Sequence, residues 1–335
     1  MNKVKHPIFS IIIMVLLISM LTACGQSSTG QGMDSNQSNE TSAQSAASES
    51  KAVNQDSQAG AVTRKYKDYI GHEVEIPVSP QRVIFIGETF GDLLALKVDA
   101  VGGGFIKGFI FENQLKHIEQ MTYPINLEKT LELNPDIILT ANTDEKEYSQ
   151  LAKIAPTVTF NTFAPLEERI TLLGDILGRQ QQAKEWLAQY KAKNDAMWEK
   201  LHKNVLKPGE TASVFTYYPG DKLFVMAGTG LSQVLYDPKG FKPVDTIQEV
   251  LNANKGFEQI SLEVLPKYAG ERIFILNPIG QEPQQSTANL LKSSIWLNLP
   301  AVQQGHVYFL DINKASSDAY TREYLLEQLP KIITK

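Results

Sequence analysis

The spacing of apolar and polar residues changes along the chain, and each change predicts an element. Lys65 to Pro77 reads as a hairpin, with Gly71-His72 at the turn and Val74 and Ile76 alternating after it. Arg82 to Ile86 is a short apolar run, hence a buried strand, and Phe90 to Lys97 carries helical spacing. Ala100-Val101 ends a strand that runs into Gly102-Gly103-Gly104. Leu127 to Leu133 reads as a helix, Pro135 to Leu139 opens another buried strand, and Thr157 to Phe160 closes this half. Strands alternating with helices predict a parallel sheet covered on both faces.

A largely helical stretch follows from about Pro165 to His202, broken near Gly174 and Gly178, with a second, longer helix from about Gln180. At 1.5 Å per residue that helix is roughly 35 Å long, enough to bridge two α/β halves. Lys207-Pro208-Gly209 ends it and opens the second half, where Ser213 to Thr216 reads as a strand. The second half repeats an idiom of the first. Asn126-Leu127-Glu128 precedes a helix and Asp136 to Leu139, and Ser261-Leu262-Glu263 precedes a helix and Arg272 to Leu276. Asn or Ser at the cap satisfies an orphan backbone donor, and a carboxylate in the first turn suits the helix dipole. The predicted fold is therefore α/β, with two doubly wound lobes bridged by one long helix.

The N-terminus changes the picture of where this fold works. Lys3 and Lys5 precede an apolar run from Ile11 to Leu21, too short to span a bilayer comfortably, and then Leu21-Thr22-Ala23-Cys24-Gly25. That is the plan of a secretory signal, and Leu-x-Ala-Cys resembles a bacterial lipobox. By that resemblance Cys24 carries diacylglycerol and becomes the mature N-terminus. Cys24 is the only cysteine, so no disulfide, thiolate zinc site or thiol nucleophile is available to the rest. From residue 25 to about 60 the chain is Ser, Gln, Asn, Ala and Gly with few charges, too poor in apolar surface to fold, and reads as a tether. The organisation expected is a signal peptide (1–23), lipidated cysteine and tether (24–61), N-terminal lobe (62–164), helical segment (165–206) and C-terminal lobe (207–335). Removing the signal removes two lysines and no acid, taking the net charge from −5 to −7. A net-acidic chain without basic runs argues against nucleic acid and against an anionic membrane surface as partner.

Several segments, taken in order, resemble siderophore- and cobalamin-type substrate-binding proteins of ABC importers. They are Lys67 to Pro77 with Pro80-Gln81-Arg82-Val83-Ile84, then Leu127-Glu128-Lys129 with Asn134 to Ile138, and Ala155-Pro156-Thr157-Val158. Near the end come Trp296 to Val302 and Gly305-His306-Val307-Tyr308, so the resemblance covers residues 62 to 335. It implies a cleft between two lobes joined by a rigid helix, a membrane permease and a cytoplasmic ATPase as partners, and a monomer held to the outer face of the membrane by lipid. It implies no cofactor, the ligand being a ferric siderophore whose iron the siderophore holds. The chain has no Gly-x-x-x-x-Gly-Lys-Ser/Thr loop, so ATP would be hydrolysed by another chain.

In doubly wound sheets ligands sit on loops beyond the C-terminal ends of strands. Those loops offer Thr89 and Phe90, then Phe105 and Lys107, then Asn142; in the second half they offer Tyr217, Tyr218, Lys222, Lys314 and Arg322. Aromatics give a rigid wall for a bulky chelate and cations neutralise its oxygens. Lys107 is the first choice: it follows three glycines between Phe105 and Phe109, and relatives place a cation in this loop, although a solvated loop lysine would look the same. Lys222 reads equally as a hairpin residue, and Arg322 as the solvent face of the last helix. Val214 to Tyr218 contains no arginine, unlike relatives that bind anionic catecholates or citrate, which favours a weakly charged hydroxamate. The resemblance assigns Glu128 and Glu263 to docking on permease arginines; from the residues alone, each simply complements a helix dipole.

Enzyme readings find little. His72, His117, His202 and His306 have no ligand-like spacing, and there is no Gly-x-Ser-x-Gly elbow. The expectation is a non-enzymatic, lipid-anchored receptor for a ferric siderophore. Ferric citrate, ferric catecholate, haem and cobalamin are the alternative ligands, and a surface lipoprotein without transport is the alternative role.

Overall fold

The computed structural model describes residues 62–104, 107–278 and 280–334. The signal segment, Cys24, the tether and Phe105 lie outside the described residues.

The first elements are the hairpin β1 (Thr63–Lys67) and β2 (Glu73–Pro77), paired antiparallel with Lys67 opposite Glu73. Its turn is organised by one buried carboxylate. Asp68 accepts the backbone N–H groups of Ile70, Gly71 and His72, and that of Thr159 across the fold. The N-terminal sheet then forms from β3 (Val83–Ile86), helix α1 (Gly91–Ala95), β4 (Ala100–Gly103), β5 (Glu119–Gln120), α2 (Leu127–Glu132), β6 (Ile137–Thr140), α3 (Glu145–Leu151) and β7 (Thr157–Thr159). Its order is β5-β4-β3-β6-β7, all parallel. Every residue of β3, β6 and β7 is buried, as a sheet with both faces covered requires. Two segments that carry the family resemblance clamp each other at the base of this sheet. Asp136 accepts from the backbone of Gln81 and Arg82, and the Arg82 guanidinium donates to the carbonyls of Leu133 and Asn134.

Two helices leave this sheet, α4 (Leu166–Ile176) and α5 (Gln180–Asn204). They break at Gly178, whose φ of +65° and whose Cα, facing the Val78 carbonyl with no room for a Cβ, demand glycine. The 25 residues of α5 span about 37 Å. Ala183, Tyr190, Asn194, Met197, Trp198 and Leu201 form its buried stripe at helical spacing.

The C-terminal lobe contains β8 (Thr211–Tyr218), β9 (Lys222–Met226), α6 (Ser232–Leu235), β10 (Lys242–Pro243), α7 (Asp245–Asn252), β11 (Phe257–Ile260), α8 (Leu265–Tyr268), β12 (Arg272–Asn277), α9 (Gln281–Leu290), α10 (Ser294–Leu297), α11 (Pro300–Gln303), β13 (Val307–Asp311) and α12 (Ala319–Ile333). Its sheet runs β11-β9-β8-β12-β13, with β10 added to β8. Here the structure departs from the expected repeat. β8, β12 and β13 are parallel, but β9 and β11 run antiparallel to their neighbours. The reason is local: only Pro219-Gly220-Asp221 separates β8 from β9, with φ of +77° at Gly220 and +55° at Asp221. So short a connection closes a hairpin and cannot make a parallel crossover. The capping idiom is also kept in only one half. Asn126 accepts from the Lys129 N–H, whereas Ser261 makes no such cap and opens a 3₁₀ turn over Leu262–Val264.

One continuous hydrophobic core runs through both lobes. It joins Phe85, Leu139 and Val158 to Trp198 of α5, Val214 and Phe274 of the second sheet, and Leu325 and Leu329 of α12. A second cluster fills the far side of the C-terminal sheet.

Candidate ligand-binding cleft

Two of the contacts between the lobes lie near the ends of their strands. At one, the Ser316 hydroxyl donates to the Glu88 carbonyl (3.4 Å), and a buried ion pair holds the joint beneath. Arg169, 1% exposed, donates to Asp92 (2.6 Å) and to the carbonyls of Ala164 and Ser317, while Asp92 also accepts the Ala319 N–H that opens α12. At the other, the Gln233 amide donates to the Phe163 carbonyl (3.2 Å), and the Phe163 ring meets Phe257 edge to face with centroids 6.3 Å apart. Gly256 makes that contact possible, since a Cβ there would lie 2.6 Å from the Phe163 ring.

From Phe163 a file of aromatic rings crosses the C-terminal sheet. Phe257 meets Phe224 at 5.8 Å and Phe224 meets Tyr218 at 6.1 Å, both edge to face. The register explains why they line up. Phe224 lies opposite Thr216, Lys222 opposite Tyr218, and Phe257 opposite Met226. With a period of two, Val214, Thr216, Tyr218, Lys222, Phe224, Met226 and Phe257 share one face. Val214 and Met226 sit in the core that both lobes share, so this face turns toward the N-terminal lobe. Phe163 and Phe257 stay 36% and 45% exposed, and Tyr218 and Phe224 are half-buried. Half-exposed rings backed by core, with the exposed Lys222 beside Tyr218, form an apolar wall with a cationic edge.

The structure separates the residues that the sequence singled out. Tyr218, Lys222 and the loops bearing Lys107 and Lys314 lie at strand ends; Lys107 and Lys314 are exposed and in no ion pair among the described residues. Tyr217 goes elsewhere. β8 extends through Tyr218, so adjacent tyrosines point to opposite faces, and Tyr217 is buried in the second cluster with its hydroxyl donating to Asp221. Burial first, then the hydrogen bond and charge of Asp221, push its phenol up to about 12. Phe90 is a core residue, packed on Phe85 and Phe111 at 1% exposure. Thr89 is fully buried with its hydroxyl unpartnered. Asn142 spends its amide on Glu147 and its carbonyl on the Asp144 N–H, which positions the start of α3. Arg322 does not face solvent on the last helix: it is 6% exposed, with Nη2 donating to Gln233. Glu128 and Glu263 are both exposed, in the first turns of α2 and of the 3₁₀ turn. Hydrogen bonds from Ser261 and from its own backbone hold the Glu263 carboxyl below the usual range.

Phe163, Phe224, Phe257 and Gln233 escaped the sequence reading. The available signal was an aromatic at an alternating position of a short run, Lys222-Leu223-Phe224-Val225-Met226, and another directly after a glycine at Gly256-Phe257.

Comparison with known proteins bears on the whole chain. A relative from Bacillus subtilis, the iron(3+)-hydroxamate-binding protein YxeB, is 31% identical over 319 residues, covering 92% of this chain and 90% of the relative. The iron(3+)-hydroxamate-binding protein FhuD of the same organism is 30% identical over 334 residues, covering 96% of each. Among solved structures, Staphylococcus aureus SirA complexed with staphyloferrin B superposes with a TM-score of 0.70 at 26% identity, covering 80% of this chain and 98% of SirA. The periplasmic binding protein family matches residues 121–313, which include the aromatic wall and Gln233 of the second junction. With two lobes, a bridging helix and these matches, the chain belongs to the periplasmic binding protein family.

Proposed function

We propose that this chain is the extracytoplasmic receptor of an ABC importer and that it captures a ferric siderophore, a hydroxamate in preference to other chelates. The observation that carries this reading is the wall of Tyr218, Phe224, Phe257 and Phe163 at the lobe junction, half-exposed and rigidly backed. A bulky chelate presents a broad, largely apolar surface, and fixed aromatic rings cover it at small entropic cost. The charge of the wall favours hydroxamate. After residue 207 the chain has two arginines, and both are buried: Arg272 is paired with Glu210 at 2.8 Å and Arg322 lies behind Phe163. What remains at the rim is Lys222, with Lys107 and Lys314 on neighbouring loops, suited to a weakly charged ligand. The names of YxeB and FhuD, iron(3+)-hydroxamate-binding proteins, support the same choice.

In this reading the chemistry is reversible capture and not catalysis. The siderophore holds the iron, and the protein holds the siderophore. Glu128 and Glu263 dock the loaded receptor on the permease, a separate subunit hydrolyses ATP, and the lipid on Cys24 keeps a monomeric receptor at the membrane. Relatives named as siderophore-binding and substrate-binding lipoproteins support the location and the partners.

The test is intrinsic fluorescence quenching of the protein by ferric hydroxamate, ferric catecholate, ferric citrate, haem and cobalamin, each beside its metal-free form where one exists. Saturable quenching by the ferric hydroxamate alone is expected. Preference for another chelate changes the ligand class, and silence across the panel favours a surface protein without transport. Charge reversal of Glu128 and Glu263 together should spare binding and abolish uptake; normal uptake would remove them from the docking surface.

A further inference from the structure

Arg322 is a buried cation that the proposed capture does not use. It is 6% exposed, and no carboxylate among the described residues lies within ion-pair distance of it. A guanidinium has five N–H donors; Nη2 donates to the Gln233 amide oxygen (3.0 Å), and the one other side-chain partner beside the guanidinium among the described residues is the neutral Tyr190 hydroxyl. Its Nε is buried with no partner. The carboxylates whose charge reaches it are occupied: Asp92 is paired with Arg169, and Asp237 accepts the Lys239 N–H at 2.9 Å and the Asn194 amide at 3.0 Å. Burial accordingly lowers the pKa of Arg322 from its usual value. An unpaired buried charge is costly, and an apolar side chain would fill the same space more cheaply.

The surroundings supply room for a counter-ion. Arg322 lines a chamber of about 600 Å³ behind Phe163, walled by both lobes. Its lining is apolar at Phe163, Leu166, Tyr236 and Leu251, and the other charged groups there are Glu168, Asp237 and Lys255. The two acids and two bases balance, and Lys255 is paired with Glu258 at 3.2 Å, so Arg322 is the one lining cation without a carboxylate partner and suits a single negative charge. A chamber of this size with apolar walls and one deep cation is a small-molecule site in proportion and chemistry.

The geometry points to a second binding site, behind the aromatic wall and sharing only Phe163 with it, in which Arg322 receives the carboxylate of a small organic monoacid whose apolar body packs against Phe163, Tyr236 and Leu251. Because both lobes wall the chamber, such an acid acts as a wedge that fixes their spacing.

The test is thermal unfolding of the full chain with benzoate, against chloride at equal ionic strength and against benzamide, which has the same shape without the charge. Benzoate should raise Tm saturably by a few degrees, and benzamide should not. Arg322→Met, which keeps the apolar stem, should abolish the rise, and Arg322→Lys should weaken it. If Arg322→Met does not fold, the comparison of benzoate with benzamide on the wild-type chain decides alone. Equal shifts with benzamide, no shift with benzoate, or a full response in Arg322→Met would each overturn the site.

Discussion

The two sheets of this protein bury their strands differently, and the difference decides which one can meet a ligand. In the N-terminal sheet every strand is parallel, and β3, β6 and β7 expose nothing. Such a sheet meets a ligand only through its loops. In the C-terminal sheet β9 and β11 run antiparallel at one edge, and their burial alternates, so Phe224 and Phe257 remain partly open. An antiparallel edge can keep one face free, and here that face carries the aromatic wall. A short turn, Pro219-Gly220-Asp221, thus converts a strand repeat into a half-open aromatic surface.

The largest effect tests the joint that lets both sheets act together. Arg169→Ala leaves Asp92 buried without its partner and should destabilise the protein by about 3–5 kcal/mol, measured by denaturant unfolding. A loss below about 1 kcal/mol would mean that the joint is held by packing alone. Next, Phe224→Ala removes the centre of the wall and should weaken ferric hydroxamate binding by about 2 kcal/mol, roughly thirtyfold in Kd. Tyr217→Phe, one strand position from the wall but on the other face, should leave Kd unchanged. Equal losses at the two positions would erase the distinction between the faces. Lys107→Ala probes what the N-terminal loops add, and a loss of about threefold is expected, in keeping with an exposed charge. Unchanged affinity would confine binding to the C-terminal wall.

The smallest effect lies in the N-terminal lobe alone. His72 bridges Asp68 (3.0 Å) and Glu145 (3.1 Å) and stacks on Tyr148. Burial opposes its charged form, but the hydrogen bonds and charges of the two carboxylates prevail and raise its pKa. A raised histidine pKa contributes stability that is present below its unfolded pKa of about 6.5 and is lost as pH rises through the folded value. Tm should therefore fall slightly from pH 6 to pH 8, and that part of the fall should vanish in His72→Gln. An identical pH profile in the variant would show that the bridge contributes nothing.

Much of the fold was legible because it rests on local patterns. The hairpin, the buried runs at Val83–Ile86 and Ile137–Thr140, the break at Gly178 and the long α5 all follow from spacing and punctuation. The cleft was less legible, for reasons of register. Two adjacent tyrosines look equivalent in sequence, yet the extension of β8 by two residues sends one into the core and one to the wall. Phe90 has the position of a loop residue and the environment of a core residue, since α1 begins immediately after it and turns its ring onto Phe85 and Phe111. Arg322 reads as a solvent-facing helix residue until α12 is seen packed against α5 and α1. Phe163 and Phe257 lie 94 residues apart, and only the fold brings their rings together.

A crystal structure of the protein grown with a ferric trihydroxamate tests most directly whether a ferric chelate seats against Tyr218, Phe224 and Phe257. The expected density places the chelate on these three rings, with the iron bound by hydroxamate oxygens and by no protein atom. A protein ligand on the iron, or a chelate seated away from the wall, would contradict it.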